Sequence, residues 1–153
     1  MLISVVAVAV TLPPQGVLVP GRTLGGVRLG DDRATVVARW GRAYGTCRGC
    51  AAPTLYFNYR PYEASGAGVT LWRGRVVAVF TLWAPPGWRT TRGLLVGDSE
   101  TRVTAFYGPL PRTPCGSYDA FTLRTRRAVT AIYVRSGIVW GFSLMRPSER
   151  VCR

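Results

Sequence analysis

The chain contains no histidine and no lysine, and its 153 residues include only seven acidic side chains. Without histidine a Ser-His-Asp triad cannot form, so neither Ser99 nor Ser117 can serve as the nucleophile of one. Without lysine the chain has no G-x-x-x-x-G-K phosphate-binding loop. These absences exclude most catalytic sites, and we expect a protein that is not an enzyme and that uses no cofactor or metal.

What is present is a core-forming composition that carries charge of one sign. Hydrophobic residues make up 48% of the chain and charged residues 18%, which excludes a disordered charged tail because a core of this composition can offset chain entropy. Because lysine and histidine are absent, all 20 basic side chains are arginine, and the net charge is +13. This charge favours anionic partners such as envelope polymers, acidic lipids or acidic proteins.

The arginines are spread along the chain and do not form the patch or stripe that is typical of a nucleic-acid-binding surface. Nucleic acid is therefore a disfavoured partner. The densest cluster contains Arg124, Arg126 and Arg127, which are the candidate anion-binding residues. The alternative for this cluster is an exposed strand edge that its charge protects from aggregation.

Four cysteines in a small chain indicate disulfides if the compartment is oxidising. We favour the pairs Cys47–Cys50 and Cys115–Cys152, because each pair then stays within one half of the chain. One alternative is a zinc site built from all four thiolates. The other is a redox-active C-x-x-C at Cys47 and Cys50, which is disfavoured because this motif follows a predicted helix and does not open one.

Residues 1–12 form an apolar run of signal-peptide length that is too short to span a bilayer as a helix. No basic residue precedes the run, so a first β-strand is the alternative interpretation. We favour export, which agrees with the cysteines, and treat residues 1–23 as a signal-like segment and tether. The expected location is secreted or in the cell envelope, without a transmembrane span.

A sixteen-residue pattern occurs at residues 26–41 and again at residues 93–108, with a constant offset of 67. The identical pairs are Gly26/Gly93, Gly30/Gly97, Asp31/Asp98, Val36/Val103, Ala38/Ala105 and Gly41/Gly108. Glycines at matching places indicate a repeated structural unit. The matched positions of Asp31 and Asp98 favour turn and capping chemistry over a catalytic carboxylate pair.

Each copy of the pattern predicts a short helix, over residues 33–40 and 100–107. Asp32 and Ser99 stand just before these helices, where their side-chain oxygens can accept a backbone N–H of the first turn. A glycine follows each helix at the position where a residue with positive φ ends it.

Runs of aromatic and β-branched residues predict strands after each helix, with hairpin turns at Arg73-Gly74 and Ser136-Gly137. Alternation along the last strand of each half, aligned at an offset of 62, predicts a core face under the helix. This predicted face contains Val76, Ala78, Phe80 and Leu82 in the first half and Ile138, Trp140, Phe142 and Leu144 in the second.

These patterns predict an α+β fold of two tandem repeats, each a short helical segment packed on an antiparallel β-sheet. The predicted first repeat covers residues 24–83, the linker residues 84–91, and the second repeat residues 92–153. The repeated Gly-Asp…Val…Gly pattern, followed by a hairpin, resembles the small helix–sheet module of the SmpA/OmlA (BamE-like) outer-membrane lipoproteins. Two tandem copies resemble the β-lactamase inhibitory protein family.

The resemblance spans about residues 24–145 and implies two modules whose sheets join side by side into a curved surface. It also implies export, one disulfide per module and protein binding in place of catalysis. Tyrosine and tryptophan supply most binding hot spots, and core packing is the alternative for each of them. The candidate partner-binding residues are Tyr56, Tyr59, Tyr62, Trp72, Trp83, Trp88 and Tyr118.

The sequence therefore predicts a non-catalytic protein that binds another protein through its sheet surface. An anionic envelope polymer is a second candidate partner. The alternative functions are anion or nucleic-acid binding, motivated by the charge, and thiol–disulfide oxidoreductase activity, motivated by the C-x-x-C motif.

Overall fold

The computed structural model describes residues 16–47, 49–58, 66–82 and 87–153. Its helices are Arg33–Trp40 (α1) and Glu100–Tyr107 (α2). The strands before the first long hairpin are Val17–Val19 (β1), Thr23–Leu24 (β2), Val27–Arg28 (β3), Gly45–Thr46 (β4) and Thr54–Asn58 (β5). The remaining strands are Gly66–Trp72 (β6), Arg75–Leu82 (β7), Arg89–Thr90 (β8), Arg112–Pro114 (β9), Asp119–Arg124 (β10), Val129–Arg135 (β11) and Ile138–Met145 (β12).

Most strands belong to one eight-stranded antiparallel sheet with the order β4-β5-β6-β7-β12-β11-β10-β9. The two halves of the chain contribute four strands each and meet where β7 pairs with β12. A smaller sheet, β3-β2-β1-β8, contains one parallel pair, β1 with β8. The large sheet is thus continuous across both halves of the chain.

The predicted fold class, α+β with two tandem helix-on-sheet repeats, is therefore wrong. The described residues are 46% strand and only 13% helix, in two sheets, so the fold is mostly β. The two- and three-residue strands of the small sheet are too short to give a periodicity in the sequence, which explains why the strand content was underestimated.

Both helices have the predicted bounds, but only one has the predicted cap. The Asp32 carboxylate accepts the Thr35 backbone N–H at 2.8 Å. The Ser99 side chain caps no backbone group of α2, and its hydroxyl lies instead 2.8 Å from that of Thr101. The prediction of a side-chain cap is confirmed for α1 and wrong for α2.

The turn before each helix is bonded to the start of the last strand of its half. The Gly30 N–H donates to the Val76 carbonyl and the Gly97 N–H to the Val139 carbonyl, each at 2.8 Å. Gly30 and Gly97 have φ of 89° and 98°, a conformation that favours glycine. Each helix N-terminus is therefore fixed to a hairpin of the large sheet.

The aspartates in these two turns have structural partners. Asp31 accepts the Arg28 backbone N–H at 2.9 Å and pairs with Arg39 at 2.7 Å. Asp98 accepts the Leu95 backbone N–H at 2.8 Å and pairs with Arg102 at 3.3 Å. Both carboxylates thus hold turns, as their matched positions predict.

Each long hairpin contains a β-bulge that changes which side chains reach the core. Val77 in β7 and Trp140 in β12 are extra residues without an opposite partner in the register. Because neighbouring side chains point to opposite faces, one extra residue moves all later side chains to the other face. The two bulges lie at matching places, and the hairpins align at an offset of 63, not the predicted 62, with Gly74 matching Gly137.

The predicted core face is wrong in its details for this reason. Val76 and Val79 lie in the core on the helix side of the sheet, together with Trp40 of α1. Ala78 and Leu82 belong to a second cluster on the opposite face. The prediction assigned Ala78 and Leu82 to the helix side because it assumed uninterrupted alternation.

The opposite face of the second half is covered by the C-terminal segment, residues 146–153. The Arg146 N–H donates to the Val77 carbonyl, and Val151 packs on the second cluster. A disulfide between Cys115 and Cys152 fixes the end of this segment. Among the described residues, neither helix has the length and apolar character needed to cross a bilayer.

Candidate functional site

The aromatic candidates fall into different environments. Trp72 is the exposed member, with 52% of its surface accessible, whereas Trp88 and Tyr118 are buried. Tyr56 is partly buried and its ring stands 6.1 Å from that of Phe80 in an edge-to-face contact. The other three candidates, Tyr59, Tyr62 and Trp83, lie outside the described residues.

Trp88 is a central core residue. Its ring packs edge-to-face on Trp40 at 5.7 Å, and it fills the space where a Cβ on Gly16 or Gly25 would stand. The indole N–H of Trp40 donates to the Gly25 carbonyl at 2.8 Å. Trp88 directly precedes β8, a two-residue strand. The sequence around this strand is rich in proline and predicted a linker.

Tyr118 contributes to the attachment of the C-terminal segment. Its hydroxyl is hydrogen-bonded to the Arg153 backbone, and its ring contacts Tyr133 edge-to-face at 5.5 Å. The Tyr133 hydroxyl donates to the Val151 carbonyl at 2.6 Å. Burial raises the pKa of Tyr133 to about 12.

Trp72 lies at the end of β6, where the turn Arg73-Gly74 leads into β7. Arg73 and Gly74 have φ of 49° and 74°, as a two-residue type I′ hairpin turn requires. Arg75 on the other side of the turn donates to the Gly30 carbonyl at 3.5 Å. We call residues 72–75 the Trp72 hairpin; it presents one exposed aromatic side chain with two arginines beside it.

The arginine candidates lie in and beside the turn between β10 and β11, where Arg124, Arg126 and Arg127 are all exposed. Arg127 lines a cleft that has a volume of about 610 Å³. The cleft also contains Arg22 and Arg28, which sequence inspection did not connect with Arg127. We call this the basic cleft; its lining residues are Val19, Gly21, Arg22, Thr23, Arg28, Leu29, Arg127 and Ala128.

The cysteines form the two favoured pairs, Cys47–Cys50 and Cys115–Cys152. This confirms the predicted pairing and excludes the four-thiolate zinc site, because all four sulfurs are in disulfides. Disulfides persist in oxidising compartments. Cys50 is exposed and accessible to another thiol, so thiol–disulfide oxidoreductase activity of the C-x-x-C motif stays a prediction.

A network of opposite charges connects α2 with the edge of the large sheet. Arg112 on β9 pairs with Glu100 at 3.1 Å and with Asp119 on β10. The bond to Asp119 holds the pKa of the Arg112 guanidinium above its usual value. Within the described part of the chain, acidic and cysteine side chains form no group of three that could hold a metal ion.

Two solved structures share this fold. An extracellular protein containing an SCP domain, from Bacillus anthracis str. Ames, is similar with a TM-score of 0.53 and 13% identity. A cysteine-rich secretory protein from Staphylococcus aureus subsp. aureus Mu50 is similar with a TM-score of 0.51 and 11% identity. Each match covers 78% of this chain and 44% of the other, so the chain spans less than half of either protein.

These findings correct the resemblance drawn from the sequence. The structural neighbours are SCP-domain proteins, not tandem SmpA/OmlA (BamE-like) modules of the β-lactamase inhibitory type. The sequence pattern consists of turn and capping residues, which different sheet folds can share. No protein-family model and no curated protein matches the chain.

Proposed function

We propose that this chain is a secreted, non-catalytic binding protein that engages a partner protein through the Trp72 hairpin. Secretion is supported by the two disulfides and by the two structural neighbours, of which one is an extracellular and the other a secretory protein. We further propose that the secreted chain acts at the cell envelope, where its partner protein lies.

The observation that carries this proposal is the exposure of Trp72. The removal of apolar surface from water is favourable, and an exposed tryptophan has a large apolar surface. A partner that covers Trp72 therefore gains binding free energy. Tryptophan and arginine are also the residue types most enriched in binding hot spots. Arg73 and Arg75 flank Trp72 and favour a partner whose contact surface is acidic around an apolar pocket.

The rest of the large sheet offers less surface for this role. Its helix side is covered by α1, α2 and the small sheet, and the other face of the second half is covered by the C-terminal segment. Two other large hydrophobic side chains, Leu95 and Ile138, are exposed among the described residues. Ile138 follows the Ser136-Gly137 turn and is a matched control, because it is the exposed hydrophobic residue of the corresponding hairpin.

A photo-crosslinking experiment tests the proposal. A benzophenone side chain replaces Trp72 in one variant and Ile138 in the other, and each purified chain is irradiated with extracellular and envelope proteins of the producing organism. We expect a discrete adduct with one protein from position 72 and none from position 138. Identical adduct patterns from both positions, or no adduct from position 72, would contradict the proposal.

Once the crosslinked partner is identified, affinity measurements give a second test with purified proteins. Truncating a hot-spot tryptophan costs about 2 kcal/mol or more, which corresponds to a loss of affinity of about 30-fold. We expect this loss for Trp72→Ala and a change within about twofold for Ile138→Ala. Equal affinities of the two variants would remove Trp72 from the interface.

A further inference from the structure

The basic cleft brings together parts of the chain that are far apart in sequence. One wall is formed by the turn between β1 and β2 and by residues at the end of β3, and the other by the turn between β10 and β11. The Gly21 N–H donates to the Thr130 hydroxyl at 2.9 Å and connects the two walls. The cleft is therefore a feature of the folded chain, and its volume of about 610 Å³ is typical of a small-molecule site.

Three arginines, Arg22, Arg28 and Arg127, line this cleft. Among the described residues, no carboxylate lies within ion-pair distance of Arg22, Arg28 or Arg127. Arginines elsewhere in the fold, such as Arg39 and Arg112, have such partners. Three like charges that share one cleft repel one another, and an anion between them relieves that repulsion.

The acidic side chain closest in sequence to the cleft is already engaged. The Asp31 carboxylate accepts the Arg28 backbone N–H and pairs with the Arg39 guanidinium through the same oxygen. It holds the backbone of Arg28 in place and forms no ion pair with the Arg28 side chain. The positive charge of the cleft is thus available to a ligand.

The number and kind of donors favour a phosphate group over a carboxylate. A guanidinium offers a planar fork of N–H donors that matches phosphate oxygens in pairs. A phosphate monoester carries three terminal oxygens and close to two negative charges at neutral pH, which is one oxygen for each of the three arginines. A carboxylate has two oxygens and one charge, which leaves part of this donor set unused.

The remaining lining of the cleft suits the carbon part of an ester. Val19, Leu29 and Ala128 are apolar, and the Thr23 hydroxyl adds a polar group beside them. Inorganic phosphate would leave this apolar surface in water, whereas a short carbon chain next to the phosphate would cover it. We propose that the basic cleft binds a phosphate ester through Arg22, Arg28 and Arg127. This inference is independent of the Trp72 hairpin.

Calorimetric titration of the full chain with glycerol 3-phosphate at physiological ionic strength, where the Debye length is about 8 Å, tests the assignment. We expect saturable binding at one site, weaker binding of inorganic phosphate, and weaker binding of glycerate, which has a carboxylate in place of the phosphorylated methylene group. Each of the variants Arg22→Gln, Arg28→Gln and Arg127→Gln should lower the affinity about tenfold, because each removes a hydrogen bond between charged groups. Glycerate binding as tight as glycerol 3-phosphate binding would overturn the choice of phosphate.

The variant Arg150→Gln is the matched control. Arg150 is exposed in the C-terminal segment, which covers the opposite face of the sheet, and its replacement removes the same charge. We expect this control to keep the affinity within about twofold, since bulk charge alone contributes little at a specific site. An equal loss in Arg150→Gln and Arg127→Gln would show a general charge effect and overturn the proposal.

A polymer of glycerol phosphate tests the requirement for a monoester, because each linkage in it is a diester with two terminal oxygens and one negative charge. Binding of glycerol 3-phosphate that is lost in the triple variant of Arg22, Arg28 and Arg127, with weaker binding of the polymer per phosphate, supports the assignment. Polymer binding that is tighter per phosphate than the binding of glycerol 3-phosphate would overturn the choice of a monoester. Binding of single-stranded DNA without any binding of glycerol 3-phosphate would replace the proposal with a nucleic-acid site.

Discussion

The two halves of the large sheet have the same local hydrogen bonds at their turns, but each half is stabilised by different long-range contacts. In the first half, Trp40 contacts Phe57 and Trp88 edge-to-face, at 5.3 and 5.7 Å, in a core that is buried on the helix side. In the second half, the Cys115–Cys152 disulfide and the Tyr133 hydroxyl fasten the C-terminal segment across the other face. A matched sequence pattern thus sets the turns, while unmatched residues supply the long-range stabilisation.

The largest expected effect separates the two helices at one matched position. Trp40 on α1 is 1% exposed, whereas its counterpart on α2, Tyr107, is only partly buried. We expect Trp40→Ala to lower the free energy of unfolding by about 3–5 kcal/mol, because the lost ring leaves a cavity in the core. Tyr107→Ala should cost less than half as much. Urea unfolding followed by circular dichroism measures both.

A conservative variant keeps this comparison informative if Trp40→Ala does not fold. Trp40→Phe retains an aromatic ring beside Trp88 but loses the donor to the Gly25 carbonyl. It should have a free energy of unfolding between those of the wild type and Trp40→Ala. Equal losses for Trp40→Ala and Tyr107→Ala would show that the two helices contribute alike, against the observed burial.

The second expected effect separates the two disulfides. Cys115–Cys152 links residues 37 apart in sequence, and Cys47–Cys50 links residues only three apart. In the chain-entropy description, the long loop contributes about 4 kcal/mol and the short one about 2 kcal/mol. Replacing both cysteines of a pair with alanine should therefore destabilise the chain more for Cys115–Cys152 than for Cys47–Cys50.

Urea unfolding of the two double variants under non-reducing conditions provides this measurement. Each double variant retains the other disulfide and serves as its control. Hydrogen exchange of the Glu149 and Arg153 backbone N–H groups, which donate to the Arg146 carbonyl and the Tyr118 hydroxyl, adds a local readout. It should accelerate without Cys115–Cys152 and stay unchanged without Cys47–Cys50. A larger loss of stability on removal of Cys47–Cys50 would reverse our ranking of the two halves.

The sequence was sufficient for features that depend on neighbouring residues. The bounds of both helices, both hairpin turns and the structural use of Asp31 and Asp98 follow from local capping and turn chemistry. Features that depend on distant residues were not predictable in this way. The pairing of β7 with β12 joins strands that come from separate halves and show no signal for each other.

The candidate sites show the same limit. An extra residue in β7, Val77, moves later side chains to the other face, and nothing in a run of apolar residues marks which of them is extra. The basic cleft combines Arg127 with Arg22, which is more than a hundred positions away in the sequence. The cluster of arginines at 124–127 therefore indicated only one wall of this cleft. Trp88 stands in a segment whose prolines suggested a linker, although its ring completes the core around Trp40.

The smallest expected effect distinguishes the two helix N-termini. Asp32→Ala removes the acceptor of the Thr35 N–H and should lower the melting temperature of the chain. Ser99→Ala should leave it nearly unchanged, because the Ser99 hydroxyl bonds to Thr101 and caps no backbone group. Thermal unfolding at neutral pH measures both variants, and equal shifts would contradict the difference in capping.

The pH dependence makes this last comparison more specific. The Thr35 N–H holds the pKa of Asp32 below its ordinary value of 3.8. The resulting stabilisation is present above that value and is lost as the pH falls through the lower pKa of the folded state. Asp32→Asn keeps an acceptor oxygen but cannot titrate, so the wild type should lose its advantage over this variant between about pH 6 and about pH 2. If the difference in melting temperature between wild type and Asp32→Asn stays constant over this range, the charge of Asp32 contributes nothing to the cap.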